Sequence, residues 1–188
     1  LGRNQLMDRF RLGLLTAGFL GCAPVAPGTF GTLAGVLIAW ALRSTQPFLA
    51  VLLGICVVLY LVGRALAPWA EKEHGKDPGC FVLDEVIGYL ICVAWVAPPS
   101  WFAMGVAFVL FRFFDILKPW PVRWFEQLGG GDGILLDDVA AGLYGLGVMA
   151  LLRYLLPGTD LWVHNGVLWA DPDPKPQLLA WEWLRVSP

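Results

Sequence analysis

Charge is scarce in this chain. Asp, Glu, Lys and Arg make up only 15% of its 188 residues, against roughly a quarter in an average soluble domain. Too few polar groups remain to cover a water-exposed surface. Instead, 57% of the residues are hydrophobic and mean hydropathy is +0.65, spread along the chain in blocks, as when lipid receives the side chains. The net charge of −2 offers no footing for nucleic acid. Cysteine is sparse too. Cys22, Cys56, Cys80 and Cys92 stand far apart, with no C-x-x-C pair and no histidine at zinc-ligand spacing, so they read as free thiols. A Gly-Lys-Ser/Thr nucleotide loop is missing. So is any convincing internal repeat, which counts against a transporter built from two related halves.

What the chain does have is apolar blocks over 28–42, 47–63, 85–97, 99–114 and 134–156. Turn and charge signals separate them: "RSTQP", "EKEHGKDPG", "APPS" and "KPWPVRWFEQLGGGDG". The blocks lack period-two alternation, which predicts an all-α fold, a polytopic membrane helix bundle of about five short transmembrane helices. Several are shorter than the roughly 20 residues of a bilayer crossing. Those must extend into their flanks, thin the membrane or lie buried among neighbours. The membrane domain is expected over 1–158, followed by a Trp- and Pro-rich tail over 159–188. Near the start, "RFRLGLLTAGFLGC" has the basic and apolar pattern of a lipoprotein signal. Phe19 and Leu20 suit the positions before a processed cysteine poorly, so the stretch is read as part of the domain.

Five crossings sort the cations onto two faces. One receives Arg3, Arg9, Arg11, Arg64, Lys72, Lys76, Arg112, Lys118 and Arg123; the other receives Arg43 and Arg153, with Lys175 and Arg185 in the tail. The positive-inside bias makes the first face cytoplasmic. The same sorting brings Asp84 and Glu85, Asp115, and Asp137 with Asp138 to that face. Small residues at Gly31 and Gly35, and at Ala141 and Gly145, would let helices approach closely.

A carboxylate within a membrane segment is costly and points to a functional site. Asp84 also suits a helix cap, with Glu85 in the first turn, and Asp115 has Arg112 and Lys118 at helical spacing. Asp137 and Asp138 have no basic residue within a turn, and because successive helical residues point about 100° apart they cannot share one direction. Acids without local counter-charge suggest an external cation, and an all-oxygen donor set favours Mg²⁺. In "FRFFDILKPWPVRWFE", Arg112, Lys118 and Arg123 surround Asp115, and Pro119 and Pro121 prevent simple continuation of the helix. That arrangement suits an anionic headgroup. In "GCAPVAPGTFGT", Gly28 and Gly31 flank Thr29 at a helix start, where backbone N–H groups attract anions and the hydroxyl can join them. His74, in "EKEHGKDPG", is read as a solvated loop residue.

Taken together, "APVAPGTFGTLAG", "DPGCFVLDEVIGYLI", "FRFFDILKPWPVRWFE" and "GGGDGILLDDVAAG" resemble the phosphatidylglycerophosphatase A family. The likeness covers roughly residues 10 to 155. It implies Mg²⁺-dependent hydrolysis of the phosphomonoester of phosphatidylglycerophosphate, giving phosphatidylglycerol and phosphate, at the cytoplasmic face of the bacterial inner membrane. It also implies Asp84, Glu85, Asp137 and Asp138 as metal-site acids, with Asp115 close by and Arg112, Lys118 and Arg123 near the phosphate. Asp115, Asp138 and Thr29 are the catalytic candidates, and Thr29 is also a candidate for binding the phosphate. Direct attack by water, with Asp115 or one of the paired aspartates as base, is preferred over a transient aspartyl or Thr29 nucleophile. Glu126 departs from the aspartate expected there. The competing class is a small cation or proton transporter lined by buried acids.

Overall fold

The computed structural model describes residues 3–76, 78–156 and 161–164; most of the expected tail, 159–188, lies outside the described residues. Among the described residues the chain is helical throughout, with one isolated β-bridge between Pro99 and Val163. The helices are α1 (Arg3–Leu15), α2 (Pro27–Leu42), α3 (Phe48–His74), α4 (Leu83–Cys92), α5 (Trp101–Leu117), α6 (Val122–Glu126) and α7 (Gly130–Leu155), with a 3-10 turn at Leu20–Cys22.

Local chemistry sets several of these boundaries. Pro27 opens α2 at a position where its missing N–H costs no helical bond. Ser100 caps α5, its hydroxyl accepting from the Ala103 N–H at 3.0 Å. The same helix ends at Lys118, which takes a left-handed conformation with φ 45°, and Pro119 then prevents continuation.

Among the described residues only α3, with 27 residues, and α7, with 26, are long and apolar enough to cross a membrane. The expected count of about five spans is therefore not confirmed. Both α2, with 16 residues, and α5, with 17, fall short. The 10 residues of α4 extend only about 15 Å at the usual helical rise. This helix is the core of the bundle. Leu83, Val86, Ile87, Tyr89, Leu90 and Cys92 are all buried, enclosed by α2, α3, α5 and α7. Its apolar run reflects burial in protein on all sides.

The tightest seam joins α4 to α7. A Cβ on Gly142 would collide with the Gly88 carbonyl, and one on Gly88 would lie 2.7 Å from the Asp138 carbonyl. Only hydrogen at both positions allows the two backbones to touch. The seams expected at Gly31 and Gly35 and at Gly145 are also used: the first pair packs on Val82 and Tyr89, and Gly145 packs on Cys92.

The elements alternate in direction, so the starts of α2, α4 and α7 meet the ends of α3 and α5 at one polar pole. At the opposite pole Trp40 and Trp101 lie 6.2 Å apart, with Arg43 stacked 4.8 Å over Trp40. Arg153 sits 4.3 Å over Trp95 and 5.8 Å over Trp162. Trp162 is held there because its carbonyl accepts from the Ser100 N–H at 3.2 Å and the neighbouring His164 N–H donates to Pro98 at 2.8 Å.

Candidate active site

The polar pole contains a cleft of about 570 Å³. Its acids come from four helices: Glu71 from α3, Asp84 and Glu85 from α4, Asp115 from α5, and Asp137 and Asp138 from α7. Carboxylate oxygens of Asp84, Glu85 and Asp138 lie within 4.8 Å of one another. The α4–α7 seam explains that convergence. Gly88 follows Asp84 by four residues, and Gly142 follows Asp138 by four, so each carboxylate stands about one turn above the backbone contact on the same helical face.

Asp115 comes within hydrogen-bonding reach of Asp138, as Asp84 does of Glu85. Carboxylates so close repel one another when ionised, so shared protons or a cation must offset them. Asp84 is not a helix cap, since that position falls on Val82. Its Oδ1 accepts the Glu85 backbone N–H at 3.1 Å. Glu85 Oε2 is buried and accepts no hydrogen bond among the described residues. An orphaned oxygen within a trio of hard oxygen donors fits a small divalent cation such as Mg²⁺.

Asp137 is arranged differently from the other expected metal-site acids. Lys118 Nζ, from the end of α5, meets its Oδ2 at 3.0 Å, and its Oδ1 accepts the Asp138 N–H at 3.0 Å. The acid lies in the cleft but stands apart from the trio, turned by the 100° step between neighbouring helical positions. Its counter-charge comes from 19 residues away. Asp115 has the local partner that helical spacing suggested: Arg112 Nη1 lies 2.7 Å from its Oδ2. The Glu85–Arg112 junction is pressed against α2 so closely that a Cβ on Gly28 would strike Glu85 Oε1 and lie 3.0 Å from Arg112 Nη1.

Three expected residues, Thr29, Arg112 and Arg123, are not brought into the cleft lining. Gly28 lines it, whereas Thr29, one position on, does not, and its backbone N–H is used in a turn to Ala26 at 2.9 Å. Arg123 is exposed on α6 and is not one of the lining residues. The side chain of Glu126 lies outside the described residues. His74 is exposed against the edge of Trp69 at 5.9 Å and lines a separate recess with Asp8 and Arg9.

Sequence reasoning missed Glu71, Lys76, Pro78, Gly79 and Phe81, all of which line the cleft. Most belong to the "EKEHGKDPG" connection, whose nearness to Asp84 was the available signal. It also missed the tie that fixes the start of α7. Tyr60 donates to Asp132 at 2.7 Å, and Arg64 Nε lies 2.8 Å from the same carboxylate, holding α7 against α3.

Comparison with known proteins supplies independent information. The family model described as Phosphatidylglycerophosphatase A matches residues 13–153. The chain is 36% identical over 150 residues to the Escherichia coli protein named Phosphatidylglycerophosphatase A, covering 77% of this chain and 84% of that one. It is 40% identical over 150 residues to the Haemophilus influenzae protein of the same name, covering 75% and 88% respectively. A Bacteroides thetaiotaomicron relative carrying the provisional name phosphatidylinositol-3-phosphatase is 37% identical over 152 residues, covering 76% and 94%. No solved structure matches the chain.

Proposed function

The chain belongs to the phosphatidylglycerophosphatase A family, and from that premise we propose that it hydrolyses the terminal phosphomonoester of phosphatidylglycerophosphate, releasing phosphatidylglycerol and inorganic phosphate in phospholipid synthesis. The observation that carries the reading is the trio Asp84, Glu85 and Asp138, with oxygens within 4.8 Å and one of them unpartnered, at the wall of an open cleft. In this reading the trio holds Mg²⁺, which when bound offsets charge on the phosphoryl oxygens.

The protein's own groups divide the remaining work. Lys118, steadied by Asp137, faces the phosphoryl group as a fixed cation and stabilises charge developing on it. Asp115, held by Arg112, orients the attacking water and accepts its proton. Gly28 keeps α2 clear of this junction. Direct attack is favoured over a Thr29 nucleophile because Thr29 does not line the cleft. The acyl chains remain among the apolar helix faces, with the headgroup at the polar pole.

We read that pole as the cytoplasmic face of a multi-pass protein in the bacterial inner membrane. The support is the excess of Lys and Arg in the segments that meet there. Grouping of the cleft acids at one pole also disfavours a transporter, whose acids would line a path across the bundle.

The test is phosphate release from phosphatidylglycerophosphate in mixed micelles. Wild-type protein with Mg²⁺ is expected to release phosphate, and chelator or Asp138→Asn is expected to abolish release while the protein stays folded. Undiminished turnover by a chelated sample overturns the metal assignment. Turnover of phosphatidylinositol 3-phosphate in place of phosphatidylglycerophosphate overturns the substrate assignment.

A further inference from the structure

The cations at the cleft are not equivalent. Lys118 lies 3.0 Å from Asp137, and Arg112, behind the wall, lies 2.7 Å from Asp115, so each already faces a carboxylate. Lys76, on the connection between α3 and α4, also lines the cleft and is exposed. It makes no ion pair or hydrogen bond among the described residues. Glu71 lines the same cleft without bridging to it. An unpaired ammonium at the rim of an otherwise acidic cleft is positioned to meet a second negative charge on the substrate.

We propose that Lys76 is a specificity residue that holds the phosphodiester of the lipid while the terminal monoester occupies the acid cluster; this rests on the phosphatase reading above. The covalent order of such a lipid is diacylglycerol, phosphodiester, polyol, phosphomonoester. With the acyl chains in the membrane and the monoester at the trio, the diester must lie between them, towards the mouth. There it carries one negative charge past Glu71, and Lys76 compensates it. An ammonium suits this role because its three donors rotate freely and impose no planar match. Both substrate names borne by the relatives denote lipids with a diester and a monoester, so a diester contact would serve either headgroup. Phosphatidic acid has its monoester directly on diacylglycerol and offers Lys76 nothing comparable.

The experiment compares wild type, Lys76→Ala and Lys76→Arg on phosphatidylglycerophosphate and phosphatidic acid. It measures steady-state kinetics and, separately, protection by each lipid against thermal unfolding in detergent micelles. Lys76→Ala is expected to raise KM for phosphatidylglycerophosphate by about 10- to 100-fold, the range for one charge-assisted hydrogen bond. Its kcat should stay within about twofold, phosphatidic acid should be handled as before, and Lys76→Arg should recover most of the loss. An equal loss on both lipids, or none on phosphatidylglycerophosphate, overturns the proposal. The protection measurement separates the two readings. Preferential protection of wild type by phosphatidylglycerophosphate, lost in Lys76→Ala, sustains the Lys76 role even where turnover is absent and the phosphatase reading fails. Retained preference in Lys76→Ala, with normal turnover, removes the Lys76 role and leaves the phosphatase reading intact.

Discussion

At the polar pole six carboxylates line a cleft with two lysines, whereas at the opposite pole Arg43 and Arg153 meet the faces of Trp40, Trp95, Trp101 and Trp162. The first arrangement concentrates like charge, which is unfavourable in isolation and becomes useful when a cation and an anionic substrate complete it. The second places each guanidinium on indole rings, and the Arg153 nitrogens are buried with no hydrogen-bond partner among the described residues. Cation–π attraction and the preference of Trp for the membrane interface account for that pole without any chemistry. Similar helices thus end in an acid-lined pole and an aromatic pole, and the difference lies in what faces each charge.

Breaking the acid-lined pole should have the largest effect. Asp138→Asn, or removal of Mg²⁺ by chelator, is expected to lower kcat by about 10³-fold or more, a loss of roughly 4 kcal/mol in barrier lowering. Phosphate-release assays on protein that remains monodisperse check this. Gly142→Val attacks the same pole through the backbone. Parting α4 from α7 by about 1 Å should cost about 10²-fold in turnover and about 1–3 kcal/mol in stability, read by activity and by thermal unfolding of one sample. Lys118→Met should lower kcat/KM by roughly 10- to 100-fold, the scale of one charge-assisted contact, with Mg²⁺ dependence retained. The comparison is sharpened at the other end: Trp95→Leu should cost about 0.5–2 kcal/mol of stability and leave kcat within about twofold. A large kcat loss in that variant would mean that the two poles are coupled.

Composition and periodicity made the helical class legible, and four of the five apolar blocks correspond closely to the starts or bodies of α2, α3, α5 and α7. The fifth misled because a helix sunk in protein and one sunk in lipid present the same apolar residues. Leu83–Cys92 became distinguishable only by its 10-residue length and its neighbours. α3 runs to His74, past the end of its block at 63, because Pro68 is accommodated within the helix and the last turns trade apolar residues for charge. α1 and α6 went unread as helices because neither stands out as an apolar block.

The site was legible to the same depth. Asp84, Glu85 and Asp138 gather as the sorting of crossings onto one face suggested, whereas Asp137 has a counter-charge that no local spacing could reveal, since Lys118 arrives from another helix. Thr29 was expected at the site, whereas Gly28 lines the cleft in its place, one rotational step away. Lys76 was concealed in a loop whose charges look solvated until the fold brings that loop beside α4.

The glycine contact between α4 and α7 acts as a pivot placed very near the atoms it controls. Four residues of helix make a lever arm of about 6 Å, so even a 10° rocking of one helix against the other would move Asp84 relative to Asp138 by only about 1 Å. Thermal sway of the long helices is therefore damped before it reaches the oxygen trio, and substitutions elsewhere on the exposed apolar surface can accumulate without detuning it.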